Sequence, residues 1–129
     1  MPAVLALPPL LLVMIGGSIG AGARYLVGRW ALATLGPGLP FATWGVNILG
    51  GFLMGLLIGW LASRSSGDDS LRLLIGVGIL GGFTTFSAFS LECVEMILRG
   101  DIGLAFAYAV SSVAGSLVAL YAGLLLARA

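Results

Sequence analysis

Four runs of apolar residues, each long enough to cross a lipid bilayer, constrain this chain more than any other feature it carries. A transmembrane helix needs about 20 apolar residues, at roughly 1.5 Å of rise each. The runs over 7–30, 41–61, 71–98 and 102–126 meet that length. The stretches between them break helices. Gly36-Pro37-Gly38-Leu39-Pro40 cannot continue one, Ser63 to Ser70 is the most polar segment in the chain, and Arg99-Gly100-Asp101 suits a tight turn. Trp30, Trp44 and Trp60 fall at span ends, where indole rings favour the membrane interface. The expectation is an all-α membrane protein, a single transmembrane domain over residues 1–129 made of four transmembrane helices.

Composition closes off the soluble alternative. Of 129 residues, 60% are apolar and 9% charged, against roughly 25% charged in an average soluble domain. There is no histidine and one cysteine. That removes His or Cys metal clusters, a Ser-His-Asp triad and an intrachain disulfide, so an enzyme is not expected. The lone Cys93 reads as a small apolar residue. A net charge of +1 offers no basic face for nucleic acid. Ala21-Gly22-Ala23 resembles a signal-peptide cleavage site, but no Arg or Lys precedes the apolar run, so the first run is expected to remain a span.

The charges choose no orientation. With four spans, Arg64, Arg72 and Arg128 lie on one membrane face, and Arg24, Arg29 and Arg99 on the other. Three against three leaves the positive-inside rule nothing to act on; placing Arg24 within the bilayer boundary would leave three against two. A chain inserting both ways closes most simply as a dual-topology antiparallel homodimer with its two-fold axis in the membrane plane. Four helices packed together leave little room for a conduit, so a pathway would form where two subunits meet.

Polar residues recur where lipid disfavours them. In the second span Thr43, Asn47, Gly51, Gly55 and Gly59 follow at four-residue spacing along one ridge. Small residues at that period let another helix approach closely. A buried amide without partners costs a few kcal/mol, so Asn47 either bonds a neighbouring helix or lines a polar path. The fourth span repeats the device with Tyr108, Ser112 and Ser116. Its serines either bond their own i−4 carbonyls or, with the tyrosine, form a stripe facing one way. Gly16, Gly17, Gly20 and Ala21 give the first span a packing surface.

The third span, Gly76-Val77-Gly78-Ile79-Leu80-Gly81-Gly82-Phe83-Thr84-Thr85-Phe86-Ser87, sets four glycines and two threonines at its middle. Gly costs about 1 kcal/mol against Ala in a helix. The run would measure roughly 42 Å as a helix, beyond the ~30 Å a hydrocarbon core requires. A helix broken at mid-membrane, between Gly81 and Thr84, is expected. Such breaks are tolerated inside protein or beside a polar cavity, and their free backbone groups bind ions in transporters. Phe86 and Phe89, three residues apart, are expected to face the same way. They either pack or present their electropositive ring edges to a small anion. Glu92 and Glu95 come roughly 12 and 16 Å beyond Thr84, and Glu95 with Arg99 forms an i,i+4 pair.

Three blocks carry a resemblance: Gly16-Gly17 through Gly20-Ala21 to Arg24-Tyr25; Val46-Asn47-Ile48-Leu49-Gly50-Gly51-Phe52; and Gly81-Gly82-Phe83-Thr84-Thr85-Phe86-Ser87-Ala88-Phe89-Ser90-Leu91-Glu92. Together they resemble the signature blocks of the Fluc (CrcB-type) fluoride channels over essentially the whole chain, with Ala88 where that family often has Thr. The resemblance implies a passive fluoride-selective channel, an antiparallel homodimer with two pores, that relieves fluoride toxicity at the cell membrane. By the same resemblance Asn47 is the pore asparagine and Phe86 and Phe89 are the paired phenylalanines. A hydroxyl track includes Ser112 and extends to Thr43, Tyr108 and Ser116. Arg24 lies near an aqueous vestibule. Backbone carbonyls of Gly81 and Thr84, two from each subunit, hold a structural Na⁺ at the dimer centre. Glu92 matches a signature acid. The rival reading is a small dual-topology proton-coupled multidrug exporter, which would need an acid deep in the first span; that span has none.

Overall fold

A computed structural model describes residues 7–64 and 69–129; the stretch 65–68 of the expected polar loop lies outside them. The elements are α1 (Leu7–Leu35), α2 (Phe41–Ala62), a π-helical segment (Arg72–Leu80) that runs into a single turn α3 (Gly81–Phe83), then α4 (Ser87–Leu98) and α5 (Ile102–Arg128). They supply four helical spans long and apolar enough to cross a membrane: Pro8–Leu35, Phe41–Ala62, Arg72–Leu98 and Ile102–Arg128.

The helix ends sit where turn chemistry puts them. Gly36 and Gly38 adopt φ of 78° and 121°, open to glycine without strain, and the Gly36 N–H closes on the Leu32 carbonyl at 3.1 Å. Gly100, at φ 90°, ends α4 in the same way, with the Asp101 N–H reaching back to Met96 O at 2.9 Å. The first span therefore continues to Leu35, five residues past the expected end at Trp30. Arg29 does not terminate a helix, and nothing from Ala31 to Leu35 does either. Ala21–Ala23 is uninterrupted helix within this span.

Spans that run in the same direction pair backbone to backbone, and glycines allow it. The α2 ridge seen in the sequence faces α5. A Cβ on Gly51 would sit 2.8 Å from Ser116 O, and one on Gly59 would sit 2.8 Å from Leu124 O. In return Gly123 of α5 meets the α2 backbone at Phe52 and Leu56. The first and third spans pair likewise: a Cβ on Gly78 would lie 2.9 Å from Gly16 Cα, and one on Gly82 would lie 2.6 Å from Gly17 O. Without side chains at these points the main chains approach closely enough for dispersion to hold them, the chief attraction left between helices in lipid. Large apolar side chains point outward instead, such as Leu26, Leu98, Phe106 and Leu117. A small cluster of Phe89, Met96, Ala105 and Tyr108 joins α4 to α5, with half-buried Cys93 against it.

The third span is interrupted, but not at the glycines. Gly81 and Gly82 are helical, and the chain leaves the helix at Thr84, which is extended at φ −86°, ψ 161°. Helix resumes at Ser87. Gly78 and Gly82 serve contact with α1 rather than the break itself. The preceding residues Arg72–Leu80 wind as a π-helix, a form that concentrates at functional positions and that residue patterns do not reveal. The expected Glu95–Arg99 pair is not made. Arg99 Nε instead meets Asp101 Oδ2 at 3.4 Å, because the Gly100 turn folds the aspartate back onto the end of α4.

Candidate ion pathway

A groove of about 460 Å³ runs along one side of the molecule. Asn47 and Gly51 of α2, Gly81 and Thr84 to Phe86 around the break, Phe89 of α4, and Ser112 and Ser116 of α5 line it. Most of the residues singled out by sequence therefore meet on one surface, brought there by the α2–α5 contact and by the break.

Asn47 holds the break. Its Nδ2 donates to Thr85 O at 2.9 Å, and its Oδ1 accepts the Thr85 N–H at 2.8 Å. The amide thus makes the interhelical bond that was one of its two readings, while still lining the groove that was the other. Thr85 in turn uses its hydroxyl to accept the Ala88 N–H at 3.2 Å, as an N-cap side chain does at a helix start. These two diversions have a joint result. In a continuous helix the Thr85 N–H would bond Gly81 O and the Ala88 N–H would bond Thr84 O. Both donors are taken by side chains, and no other donor among the described residues replaces them. The carbonyls of Gly81 and Thr84 are left as hard oxygen donors of the kind that suits an alkali or alkaline-earth cation.

Phe86 and Phe89 touch, with ring centroids 5.6 Å apart and planes tilted by 43°. Both line the groove, and they differ in burial. Phe86 precedes the first turn of α4 and is 76% exposed, while Phe89 is 9% exposed. Phe86 is already αR and its carbonyl accepts the Ser90 N–H at 2.9 Å, so both rings face the groove as their spacing suggests. Ser112 Oγ is buried and has no hydrogen-bond partner among the described residues. Such an atom costs about 1–3 kcal/mol unless something else satisfies it.

Thr43 and Tyr108 lie outside this groove's lining and converge on Glu92. Thr43 Oγ1 donates to Glu92 Oε2 at 3.1 Å, and Tyr108 Oη donates to Oε1 at 3.0 Å. Each carboxylate oxygen thereby keeps a donor in an otherwise apolar cluster. Phe89 links the two regions, since its ring also lies 5.2 Å from that of Tyr108. Arg24 stands on the opposite side of the break, where its Nε donates to Gly82 O at 3.3 Å. Residue spacing had not revealed the parts played by Thr85 and Glu92. Glu92 had one legible signal, an acid inside an apolar run; Thr85 had only its place beside another threonine.

Comparison with known proteins places the chain in a family. Residues 11–124 match the family model described as CrcB-like protein, Camphor Resistance (CrcB). This chain belongs to the CrcB family. A protein of Phenylobacterium zucineum named fluoride-specific ion channel FluC is 62% identical over 120 residues, covering 92% of this chain and 94% of the relative. Relatives of the same name from Caulobacter vibrioides and Mesorhizobium japonicum are 53% and 51% identical over similarly complete alignments. CrcB membership and four apolar spans make this a multi-pass membrane protein and set an enzymatic reading aside.

Proposed function

We propose that this chain is a passive fluoride-selective channel of the cell membrane that lets F⁻ leave the cell and relieves fluoride toxicity. The observation that carries the reading is 62% identity over 92% of the chain to a protein named as such a channel. The groove supplies a compatible chemistry. Fluoride is small and strongly hydrated, so a selective path must replace its water with hydrogen-bond donors. The free N–H of the Asn47 amide, the hydroxyls of Ser112 and Ser116, and the edges of Phe86 and Phe89 offer these without a fixed cation that would hold the ion too tightly. With the cell interior negative, about 2.3 kcal/mol per 100 mV drives an anion outward.

In this reading residues 1–129 form one transmembrane domain that works as an antiparallel, dual-topology homodimer with two pathways. The balanced arginines and the exposed ring of Phe86 beside the groove support it. The arms on either side of Thr84–Phe86, Arg72–Phe83 and Ser87–Leu98, are 12 residues each, which supports a break at mid-membrane. Gly81 and Thr84 fit a Na⁺ at the dimer centre, because their carbonyls have lost their helical donors. Such an ion would satisfy those oxygens and add positive potential near the pathways. Thr43, Tyr108 and Glu92 extend the polar track beyond Phe89, and Arg24 lies toward the vestibule. The exporter reading finds no support in the relatives.

The test is growth. Expressed in a host lacking its own route for fluoride, the wild-type chain should restore growth in millimolar fluoride. A chain shown to be in the membrane that leaves the host sensitive would contradict the proposal.

A further inference from the structure

A closed circuit of hydrogen bonds joins α2, α4 and α5, and two of its members, Trp44 and Ser111, do not line the groove. Trp44 Nε1 donates to Ser111 Oγ at 3.0 Å, and Ser111 Oγ donates to Tyr108 O at 3.2 Å. Tyr108 Oη donates to Glu92, which also accepts from Thr43, the chain neighbour of Trp44. The serine bond alone is the ordinary return of a hydroxyl to its own helix. The indole changes its meaning. A serine hydroxyl has one proton to give and two lone pairs to receive. With the Trp44 N–H on a lone pair, the proton is left for the Tyr108 carbonyl, and a local bond becomes a tie between helices.

The rest of the α2–α5 contact does not supply this tie. Gly51, Gly55 and Gly59 bring the α5 main chain close at Ser116, Leu120 and Leu124, all in the later halves of the two helices. Toward their starts the approach is looser. A Cβ on Gly45 or on Gly103 would meet nothing within 4 Å, and an apolar crevice of about 300 Å³ opens between Phe41 and Trp44 of α2 and Leu104 and Ala107 of α5. Side chains set the spacing there, and Trp44 is the one that reaches across with a directed bond. Its N–H can only donate. Trp44 is 40% exposed, yet it spends that donor on Ser111 rather than on the membrane interface that its place near a span end suggested.

Tyr108 bears on the groove through Phe89. Its ring lies 5.2 Å from that of Phe89, which in turn touches Phe86 at 5.6 Å. Both phenylalanines line the groove, as does Ser112, one turn beyond Tyr108 on α5. A shift of Tyr108 is therefore passed to all three. We propose that Trp44 is a positioning residue of the ion pathway. Through Ser111 it fixes where Tyr108 stands against Glu92 and Phe89, at the junction between the groove and the polar track beyond it. Trp44 touches no ion itself, and its role rests on the channel reading above, which makes Thr43, Tyr108 and Glu92 part of the path.

Fluoride efflux from liposomes and alkylation of Cys93, both measured on the purified full chain, test this together. Cys93 packs against the cluster of Phe89 and Tyr108 and is the one cysteine of the chain, so its reaction with a small maleimide reports how tightly that cluster is closed. Trp44→Phe keeps an aromatic ring and loses the N–H, and Ser111→Ala loses the acceptor. Each should slow efflux per folded protein roughly three- to tenfold, the worth of one neutral hydrogen bond, and speed alkylation by a similar factor. The double variant should do no more than either alone, because both changes cut the same link. Ser111→Thr, which keeps the hydroxyl, should return both readouts toward wild type, and Trp30→Phe should alter neither. Unchanged efflux or unchanged alkylation in W44F would overturn the role of Trp44, and so would effects of W44F and S111A that add, as they would in a protein merely loosened. A wild type that conducts no fluoride would strike the channel reading instead, and alkylation alone would then decide whether Trp44 places Tyr108.

Discussion

Asn47 grips the main chain of Thr85 from both sides, donating at 2.9 Å and accepting at 2.8 Å. A side-chain amide here mimics the pairing of a second backbone strand, so the third span can leave its helix at Thr84 without stranding the Thr85 peptide groups. Removing the amide should undo both the break and the surface it shapes. Asn47→Ala leaves two backbone groups without partners, at about 1–3 kcal/mol each in an apolar setting and less where the membrane-inserted reference finds substitutes. The variant should melt earlier in detergent and conduct no fluoride. Asn47→Asp keeps an acceptor for the Thr85 N–H but sets a second acceptor against Thr85 O, so it should also melt below wild type, and its added negative charge should abolish F⁻ flux.

Two neighbouring glycines of α1 should respond in opposite ways. At Gly16 a Cβ would fall 2.9 Å from Gly78 Cα, and backbone cannot move aside as a side chain can. Gly16→Ala should therefore cost about 1–3 kcal/mol by overpacking. At Gly17 a Cβ meets nothing within 4 Å, so Gly17→Ala should be neutral or gain up to about 1 kcal/mol of helix propensity. Unfolding in SDS or by heat, read side by side, checks the pair.

Ser112 separates folding from function. Its buried hydroxyl has no partner among the described residues, so Ser112→Ala removes an unsatisfied atom, and thermal stability should hold or rise by about 1 kcal/mol. If the hydroxyl is there for the ion, fluoride flux should fall in the same protein. A stable variant with unchanged flux would remove Ser112 from the pathway.

The free carbonyls of Gly81 and Thr84 make a prediction about solvent ions. Exchange of Na⁺ for a large organic cation during purification should lower the melting temperature and slow fluoride flux, and returning Na⁺ should restore both. Indifference to Na⁺ would mean that those oxygens are satisfied in some other way.

Much of this was legible because lipid is a strict solvent. Span number, the turns at Gly36 and Gly100, and the close approach of another helix along the α2 ridge followed from apolar length, glycine conformational freedom and four-residue spacing; that the partner is α5 did not. The break was misplaced by a few residues because glycine reports two things that sequence cannot separate: a weak helix, and room for another backbone. Gly78 and Gly82 do the second, against Gly16 and Gly17. What ends the helix is competition for the Thr85 N–H by an amide 38 residues away, a tertiary effect with no local sign. The cluster of Glu92 with Thr43 and Tyr108 was hidden for the same reason, since its members come from three helices. Arg99 was assigned to Glu95 by helical spacing, and the turn at Gly100 offered it Asp101 instead.

Ion-specific efflux from liposomes containing the purified protein decides the matter. With a fluoride electrode and a chloride electrode recording in parallel, F⁻ should leave rapidly down its gradient while Cl⁻ stays, with no proton gradient applied. Retention of F⁻ by vesicles shown to contain folded protein, or equal release of both halides, would contradict a fluoride-selective channel.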